Sequence, residues 1–338
     1  NFLHHGIYVL HGDADRTVPV SQARFMRERL GRFHPNFAYY EQPGAGHWWG
    51  NRCVDWPPLF AFFRDNRIPD PKDVQRVRFV TMNPAINARC YWVQVHQQQR
   101  SLDPSEVDFR IDRDAHRVEG TTANVRALRL STLEAPTTIE IDGQTLGPVE
   151  PVRGSVHLVR DAEAGTWREG PPPDPVEKSP FRAGPFKEAF RNRFVLVVGT
   201  QGTPEENAWA LAKARYDADT FAYRGNGAPR IVLDTEVAAC DPHQNVILYG
   251  NRETNAAFAA VVDDAVFDVD RSRVRIGTTT HAGDDIGCLV VRPRKGSDVA
   301  SVGIVGGTGL SGLRTTTQMP IFLSGAGFPD WLVVGADI

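Results

Sequence analysis

A histidine and two carboxylates whose types and spacing suit proton transfer lie near the start of the chain. Residues 10–19 read LHGDADRTVP and carry Asp13 and Asp15, and residues 44–50 read GAGHWWG and carry His47. In a hydrolytic triad a histidine is the general base, and a carboxylate at its Nδ1 fixes the imidazole tautomer and stabilises the imidazolium. The two strings therefore predict the base and the orienting carboxylate of such a triad.

The elements around these residues alternate between strands and helices. The pattern predicts, in order, a strand over 7–10, a helix from an N-cap at Ser21 to Phe33, a strand over 37–41 and a helix over 57–66. The segment between Asp15 and His47 thus has room for one helix and one strand. Both residues are expected on loops at the carboxyl edge of a parallel sheet, where α/β proteins form their sites.

Residues 3–66 resemble the end of the catalytic domain of the prolyl oligopeptidase family of serine hydrolases, which are α/β-hydrolases. The similarity lies in the strings HGDAD, VPV and PGAGHWWG. It implies that Asp15 is the triad carboxylate and His47 the general base, with Asp13 as the alternative carboxylate. It also implies a peptide or ester substrate for the parent protein.

The chain departs from this family at the nucleophile. In α/β-hydrolases the serine lies on a G-x-S-x-G elbow, upstream of the acid and the histidine. No serine precedes Asp15, and the elbow pattern occurs nowhere in the 338 residues. Because Asn1 opens directly onto a strand, we expect the carboxyl-terminal portion of a longer hydrolase, whose missing amino-terminal portion supplies the serine. The chain alone is expected to be inactive.

Beyond residue 68 the pattern changes twice. Residues 74–169 alternate apolar and polar positions between turn signals, which predicts a β-sandwich. The proline-rich residues 170–185 predict a linker, and residues 186–338 predict a mostly parallel α/β accessory domain. The expected fold class is α/β with an intervening all-β segment, and residues 1–68 form a partial α/β-hydrolase end. Two strands are too few to bury a sheet, so this end is expected to lean on its neighbours or on the missing portion.

The accessory domain contains one string typical of a nucleotide site. Residues 307–312 read GTGLSG, follow an apolar run at 302–305 and precede Asp337. In a dinucleotide fold such glycines let the backbone approach a pyrophosphate, and a distant acid holds the ribose. A lone match of this kind is weak, and Pro320 would interrupt the following helix.

Other features of the accessory domain favour structure over chemistry. The predicted strands lie at 194–198, 231–233, 246–249, 288–291, 302–305 and 332–334, with a helix over 204–221. His281, Asp284 and Asp285 could ligate a metal, but a turn between strands explains them better. We therefore predict no cofactor and no metal.

Composition narrows the range of partners. The chain has 38 Lys and Arg against 41 Asp and Glu, a formal net charge of -3. It therefore lacks the excess of positive charge that binding to nucleic acid or to an anionic membrane surface requires. No apolar run is long enough for a membrane span, and the four cysteines match no zinc spacing. A non-catalytic ligand-binding or scaffolding module is the alternative to the hydrolase, and a nucleotide-binding domain is less favoured.

Overall fold

The chain divides into two units, each an assembly of strands with few helices. The computed structural model describes residues 1–182, 184–263 and 265–335. The first unit comprises residues 1–81, 89–94 and 104–170, and the second comprises residues 82–88, 95–103 and the described residues from 171 onward. The separation of residues 1–68 from the strands that follow stays a prediction.

A parallel pair of strands carries the two predicted site loops. Strand β1 spans Ile7–Gly12, helix α1 spans Val20–Gly31, and strand β2 spans Phe37–Gln42. The strands pair in register from Ile7 opposite Phe37 to Gly12 opposite Gln42. Because α1 crosses between parallel strands, the carboxyl ends of β1 and β2 meet at one edge.

The two helices of this segment begin at prolines or just after one. Pro19 lies at the N-cap of α1 with φ of -56°, and no side chain caps the first turn. The fixed φ of proline provides a rigid helix entry, so the helix already contains Ser21 and the predicted N-cap at Ser21 is wrong. Helix α2, Pro57–Asp65, has proline in its first turn as predicted.

The residues before β1 bind the edge of a neighbouring sheet within the same unit. The side-chain amide of Asn1 donates to Val80 O and accepts the Val80 N–H, both at 2.8 Å, and His4 Nε2 lies 2.7 Å from Arg76 O. Val80 and Arg76 belong to an edge strand, β3 (Arg76–Thr81). Such bonds satisfy backbone groups that an edge strand otherwise exposes.

Residues 76–169 form two five-stranded sheets, in the orders β10-β9-β7-β6-β3 and β12-β11-β8-β5-β4. Described neighbours are antiparallel apart from the parallel pair β7 and β9. The buried rings of Trp92 and Phe109 lie 6.5 Å apart, and the Trp92 indole N–H donates to Val74 O at 2.8 Å. The strands after β3 are β4 Arg89–Cys90, β5 Val93–Gln98, β6 Ser105–Asp112, β7 Arg117–Ala123, β8 Val125–Ser131, β9 Thr137–Ile141, β10 Gln144–Val149, β11 Ser155–Arg160 and β12 Trp167–Glu169.

The second unit is built on a six-stranded sheet in the order β14-β13-β15-β20-β19-β21. The first four strands run parallel, and β19 is antiparallel to both of its neighbours. A small antiparallel sheet, β16-β17-β18, accompanies it and was not foreseen from the sequence. The strands are β13 Phe194–Val198, β14 Arg230–Leu233, β15 Asn245–Tyr249, β16 Phe267–Val269, β17 Arg273–Ile276, β18 Thr279–Ala282, β19 Gly287–Pro293, β20 Ser301–Gly307 and β21 Trp331–Val334, and the helices are α3 Pro204–Gly225, α4 Phe258–Val261 and α5 Gly309–Thr315.

Local sequence accounts for the longest helix. Thr203 and Glu206 form a capping box at the start of α3, and Asn226 ends the helix in the left-handed conformation with φ of 52°. Within the described ranges, no helix combines the length and apolar character needed to cross a bilayer.

A buried carboxyl lies in the second unit, on the short 3-10 helix Phe186–Phe190. Glu188 is 5% exposed, and its Oε2 accepts the Gly184 N–H. Burial raises the pKa of Glu188 to about 7, because the Gly184 bond and the charge of Lys178 only partly offset the desolvation. Folding therefore favours the neutral form of this carboxyl.

The substitution Glu188→Gln should flatten the pH dependence of stability. The stabilisation linked to this group is fully present below its ordinary pKa of 4.5 and is lost as the pH rises through about 7. The free energy of unfolding of the wild type should thus fall more than that of Glu188→Gln between about pH 5 and about pH 8. Urea titrations measure this difference; the exposed Glu163→Gln serves as control, and parallel curves for Glu188→Gln and wild type would contradict the assignment.

Candidate functional site

Asp15 and His47 meet at the carboxyl edge of the β1-β2 pair. His47 Nδ1 lies 2.9 Å from Asp15 Oδ2. A carboxylate only accepts, so Nδ1 carries the hydrogen and Nε2 keeps the lone pair that takes up a proton. The His47 side chain is 58% exposed, whereas that of Asp15 is 4% exposed. The arrangement is an accessible base held by a sheltered carboxylate.

Backbone groups fix the Asp15 carboxylate from the other side. Its Oδ1 accepts the N–H of Thr17 at 2.8 Å and that of Val18 at 2.9 Å. Desolvation raises the pKa of Asp15, but the bonds from Val18, His47 and Thr17 outweigh it and hold this pKa below the usual range. The group therefore stays ionised, as an orienting acid must.

Asp13 has a different role from Asp15. Its Oδ1 accepts the Gly44 N–H at 2.6 Å, and its own N–H donates to Gln42 O at 3.1 Å. Ala14 N–H donates to Ala45 O at 2.9 Å. Asp13 thus ties the loop after β1 to the loop that carries His47, and Asp15 is the carboxylate that contacts the imidazole.

Gly12 permits the two loops to lie this close. A Cβ at Gly12 would lie 2.5 Å from Gly46 O and would also overlap Ala45 O. Both obstacles are backbone atoms, which cannot move aside as a side chain end can. At Gly46 itself, an added Cβ would meet nothing within 4 Å.

The neighbouring tryptophans divide between packing and exposure. Trp56 donates its indole N–H to Tyr8 OH at 2.9 Å and stacks on Tyr40 with ring centroids 4.9 Å apart. Trp48, next to His47 in sequence, is 67% exposed. Packing of α2 against β1 and β2 therefore accounts for Trp56 but not for Trp48.

His11 belongs to this cluster, although the sequence did not predict a role for it. His11, in β1, lies with Nε2 3.0 Å from Val18 O and 3.5 Å from Asp15 Oδ2. It belongs to the HGDAD string, and its position four residues before Asp15 was the available signal. In a strand followed by a turn, that spacing alone does not place two side chains together.

Two glycines of residues 307–312, Gly307 and Gly312, serve close packing inside the second unit. A Cβ at Gly307 would lie 2.7 Å from Ile286 O, and one at Gly312 would overlap the same carbonyl. Helix α5 can therefore lie directly against the start of β19. Asp337, the acid of the nucleotide hypothesis, lies outside the described residues.

The carboxyl edge of the second unit is filled by its own side chains. Asp234 Oδ2 accepts the N–H of Ala256 at 2.7 Å and that of Thr200 at 3.0 Å. The buried Asn251 donates its side-chain amide to Gly307 O at 2.9 Å. Backbone partners satisfy both side chains, so their presence at this edge is explained by structure.

The segment with His281, Asp284 and Asp285 lies at the junction of β18 and β19. His281 is within β18 opposite Val274, and the two aspartates follow in the connection. In the part of the chain that the structure describes, no group of three or more His, Cys, Asp or Glu is placed to hold a metal ion.

Within the described residues, the structure shows no hydrogen bond between His47 and a serine hydroxyl. Comparison of the chain with protein-family models, with curated proteins and with solved structures finds no significant match. What the site can do is therefore argued from its own geometry and from the sequence strings.

The substitution Gly12→Ala should separate the two site loops. Its Cβ meets backbone carbonyls, and overpacking of this kind costs about 1–3 kcal/mol. We expect lower thermal stability and loss of the downfield NMR signal of the His47 Nδ1 proton. Gly46→Ala, whose Cβ has free space, should keep both; equal behaviour of the two variants would contradict the close approach.

The titration of Asp15 should depend on His47. Its stabilising contribution is present above its ordinary pKa of 3.8 and is lost only as the pH falls through the lower folded value. His47→Gln removes a hydrogen bond and a positive charge, so it should raise the pKa of Asp15, as measured by carboxyl ¹³C NMR. The exposed His243→Gln should leave it unchanged, and an identical Asp15 titration in His47→Gln and wild type would show that the pair does not form in solution.

Proposed function

We propose that Asp15 and His47 are the orienting carboxylate and the general base of a serine hydrolase related to the prolyl oligopeptidase family. The chain would be the carboxyl-terminal portion of that enzyme, and the nucleophilic serine would lie in a portion outside these residues. The full enzyme would cleave a peptide or an ester, since the same triad serves both.

The bond of 2.9 Å between His47 Nδ1 and Asp15 Oδ2 is the observation that carries this proposal. It selects the tautomer in which Nε2 can take a proton from a serine hydroxyl. The buried, ionised Asp15 then stabilises the imidazolium that forms. His47 is exposed enough for a further element to approach its Nε2.

The open edge of β1 supports the presence of further strands in the full enzyme. Ile7 N–H and Asp13 N–H donate toward β2, to Asn36 O and Gln42 O. In a parallel strand both backbone groups of a residue point to one side, so the groups of Tyr8 and Leu10 point the other way. Among the described residues β1 pairs with β2 alone.

Exposed apolar side chains near this pair support the same proposal. Phe25 and Met26 of α1 are 49% and 47% exposed, and Phe33 is 63% exposed. Met26 and Phe33 line the same cavity, and exposed apolar side chains that lie together mark surfaces that another segment or partner covers. In an α/β-hydrolase, helices that flank a larger sheet would be covered in this way.

The polypeptide that contains this chain together with its upstream serine should be labelled by a fluorophosphonate. Asp15→Asn should lower its kcat by about 10⁴-fold, and His47→Ala by about 10⁶-fold, as for other triads. Asp13→Asn should act mainly through stability, because Asp13 contacts the loop and not the imidazole.

His243→Gln is the matched control for expression and folding. Absence of any labelled serine in the full polypeptide, or labelling of His47→Ala at the wild-type rate, would overturn the hydrolase proposal. Absence of a labelled serine would favour the non-catalytic binding or scaffolding module.

A further inference from the structure

His11 holds the turn that presents Asp15 to His47. Its Nε2 lies 3.0 Å from Val18 O. Because a carbonyl oxygen only accepts, Nε2 carries the hydrogen of a neutral His11 and donates it there. The side chain is 15% exposed, so water competes weakly for this bond.

The Val18 peptide unit links His11 to the carboxylate. Val18 N–H donates to Asp15 Oδ1 at 2.9 Å, while Val18 O receives the bond from His11. The turn over residues 15–18 is thereby tied to strand β1 as well as to its own aspartate. With Oδ1 occupied by two backbone N–H groups, Oδ2 is the oxygen directed at the imidazole of His47.

We propose that His11 is a positioning residue for the Asp15–His47 pair, holding the Val18 carbonyl so that Asp15 Oδ2 stays aimed at His47 Nδ1. This role rests on the proposed hydrolase function for its meaning in catalysis, but the geometry it describes exists without substrate. His11 Nε2 is 3.5 Å from Oδ2, beyond a good hydrogen bond, whereas His47 Nδ1 is 2.9 Å from the same atom. Asp15 Oδ2 therefore bonds His47 and not His11.

Two substitutions of His11 that introduce amide side chains of different length distinguish a positioning role from simple packing. In His11→Gln the side-chain amide nitrogen can replace Nε2 as a donor to Val18 O. In His11→Asn the amide is one methylene shorter and cannot reach. His11 also lines a largely apolar cavity of about 1050 Å³, which leaves room for either side chain.

The readout is the imidazole ¹⁵N spectrum of His47, recorded on the whole chain at a pH at which that spectrum itself shows a neutral imidazole. Wild type and His11→Gln should show the Nδ1–H tautomer. In His11→Asn we expect the ratio of Nδ1–H to Nε2–H to fall about fivefold, the size expected when one hydrogen bond is lost. In the full enzyme the same variant should lower kcat with KM unchanged.

A His47 tautomer ratio in His11→Asn equal to that in His11→Gln would overturn the positioning role. If His11→Asn does not fold, His11→Met takes its place, because its side chain has the length of Gln but no N–H to donate to Val18 O; a ratio in His11→Met equal to that in His11→Gln would then overturn the positioning role. Should the tautomer shift occur while the full polypeptide shows no labelled serine, the positioning role stands and the hydrolase proposal fails.

Discussion

The hydrogen bonds between the loop after β1 and the loop after β2 are the constraint on which the candidate site depends. Parallel pairing brings the two strand ends to one edge, but it does not by itself fix the side chains beyond that edge. Asp13 bonds the backbone of Gly44, and Ala14 bonds Ala45, which locks the loops together. The absent side chain of Gly12 lets them approach closely enough. The contact between Asp15 and His47 follows from this arrangement.

The two aspartates show how one short string supplies two functions through different environments. Asp13 accepts a hydrogen bond from the backbone N–H of the loop that carries His47. Asp15 accepts backbone N–H groups of its own turn at Oδ1 and bonds the His47 imidazole at Oδ2. His11 holds this turn through its hydrogen bond to Val18 O. The carboxylate is therefore held by bonds that do not use the Nε2 of His47, as expected for a preorganised arrangement.

The carboxyl edge of the second unit makes an instructive contrast. There, too, parallel strands end together, yet Asp234 and Asn251 are buried and form hydrogen bonds with backbone groups. At the β1-β2 edge, by contrast, His47 remains more than half exposed. The end of a parallel strand pair is thus a candidate site only where a reactive group is left accessible. Gly307 and Gly312 are likewise explained by structure, since a Cβ at either would overlap Ile286 O.

Sequence alone determined the elements and the residue types of the candidate site. Apolar runs located the six strands of the large sheet in the second unit, each within the observed bounds. The parallel strands at the centre of the sheet, β13, β15 and β20, are buried and therefore continuously apolar. The strings around Asp15 and His47 likewise indicated which residues could form a pair. The N-cap at Ser21 was wrong because a proline can start a helix without a side-chain cap, and the β16-β17-β18 sheet was missed because its strands are short.

Tertiary structure decided which aspartate meets the imidazole, what role His11 has and whether a glycine string is a site or a packing device. The physical reason is that each of these depends on distances between loops. Asp13 and Asp15 are the same residue type two positions apart, and only the fold of the turn separates an oxygen aimed at Gly44 N–H from one aimed at His47 Nδ1. Local sequence fixes propensity and chemistry, whereas the direction of a side chain is set by the backbone that packs against it.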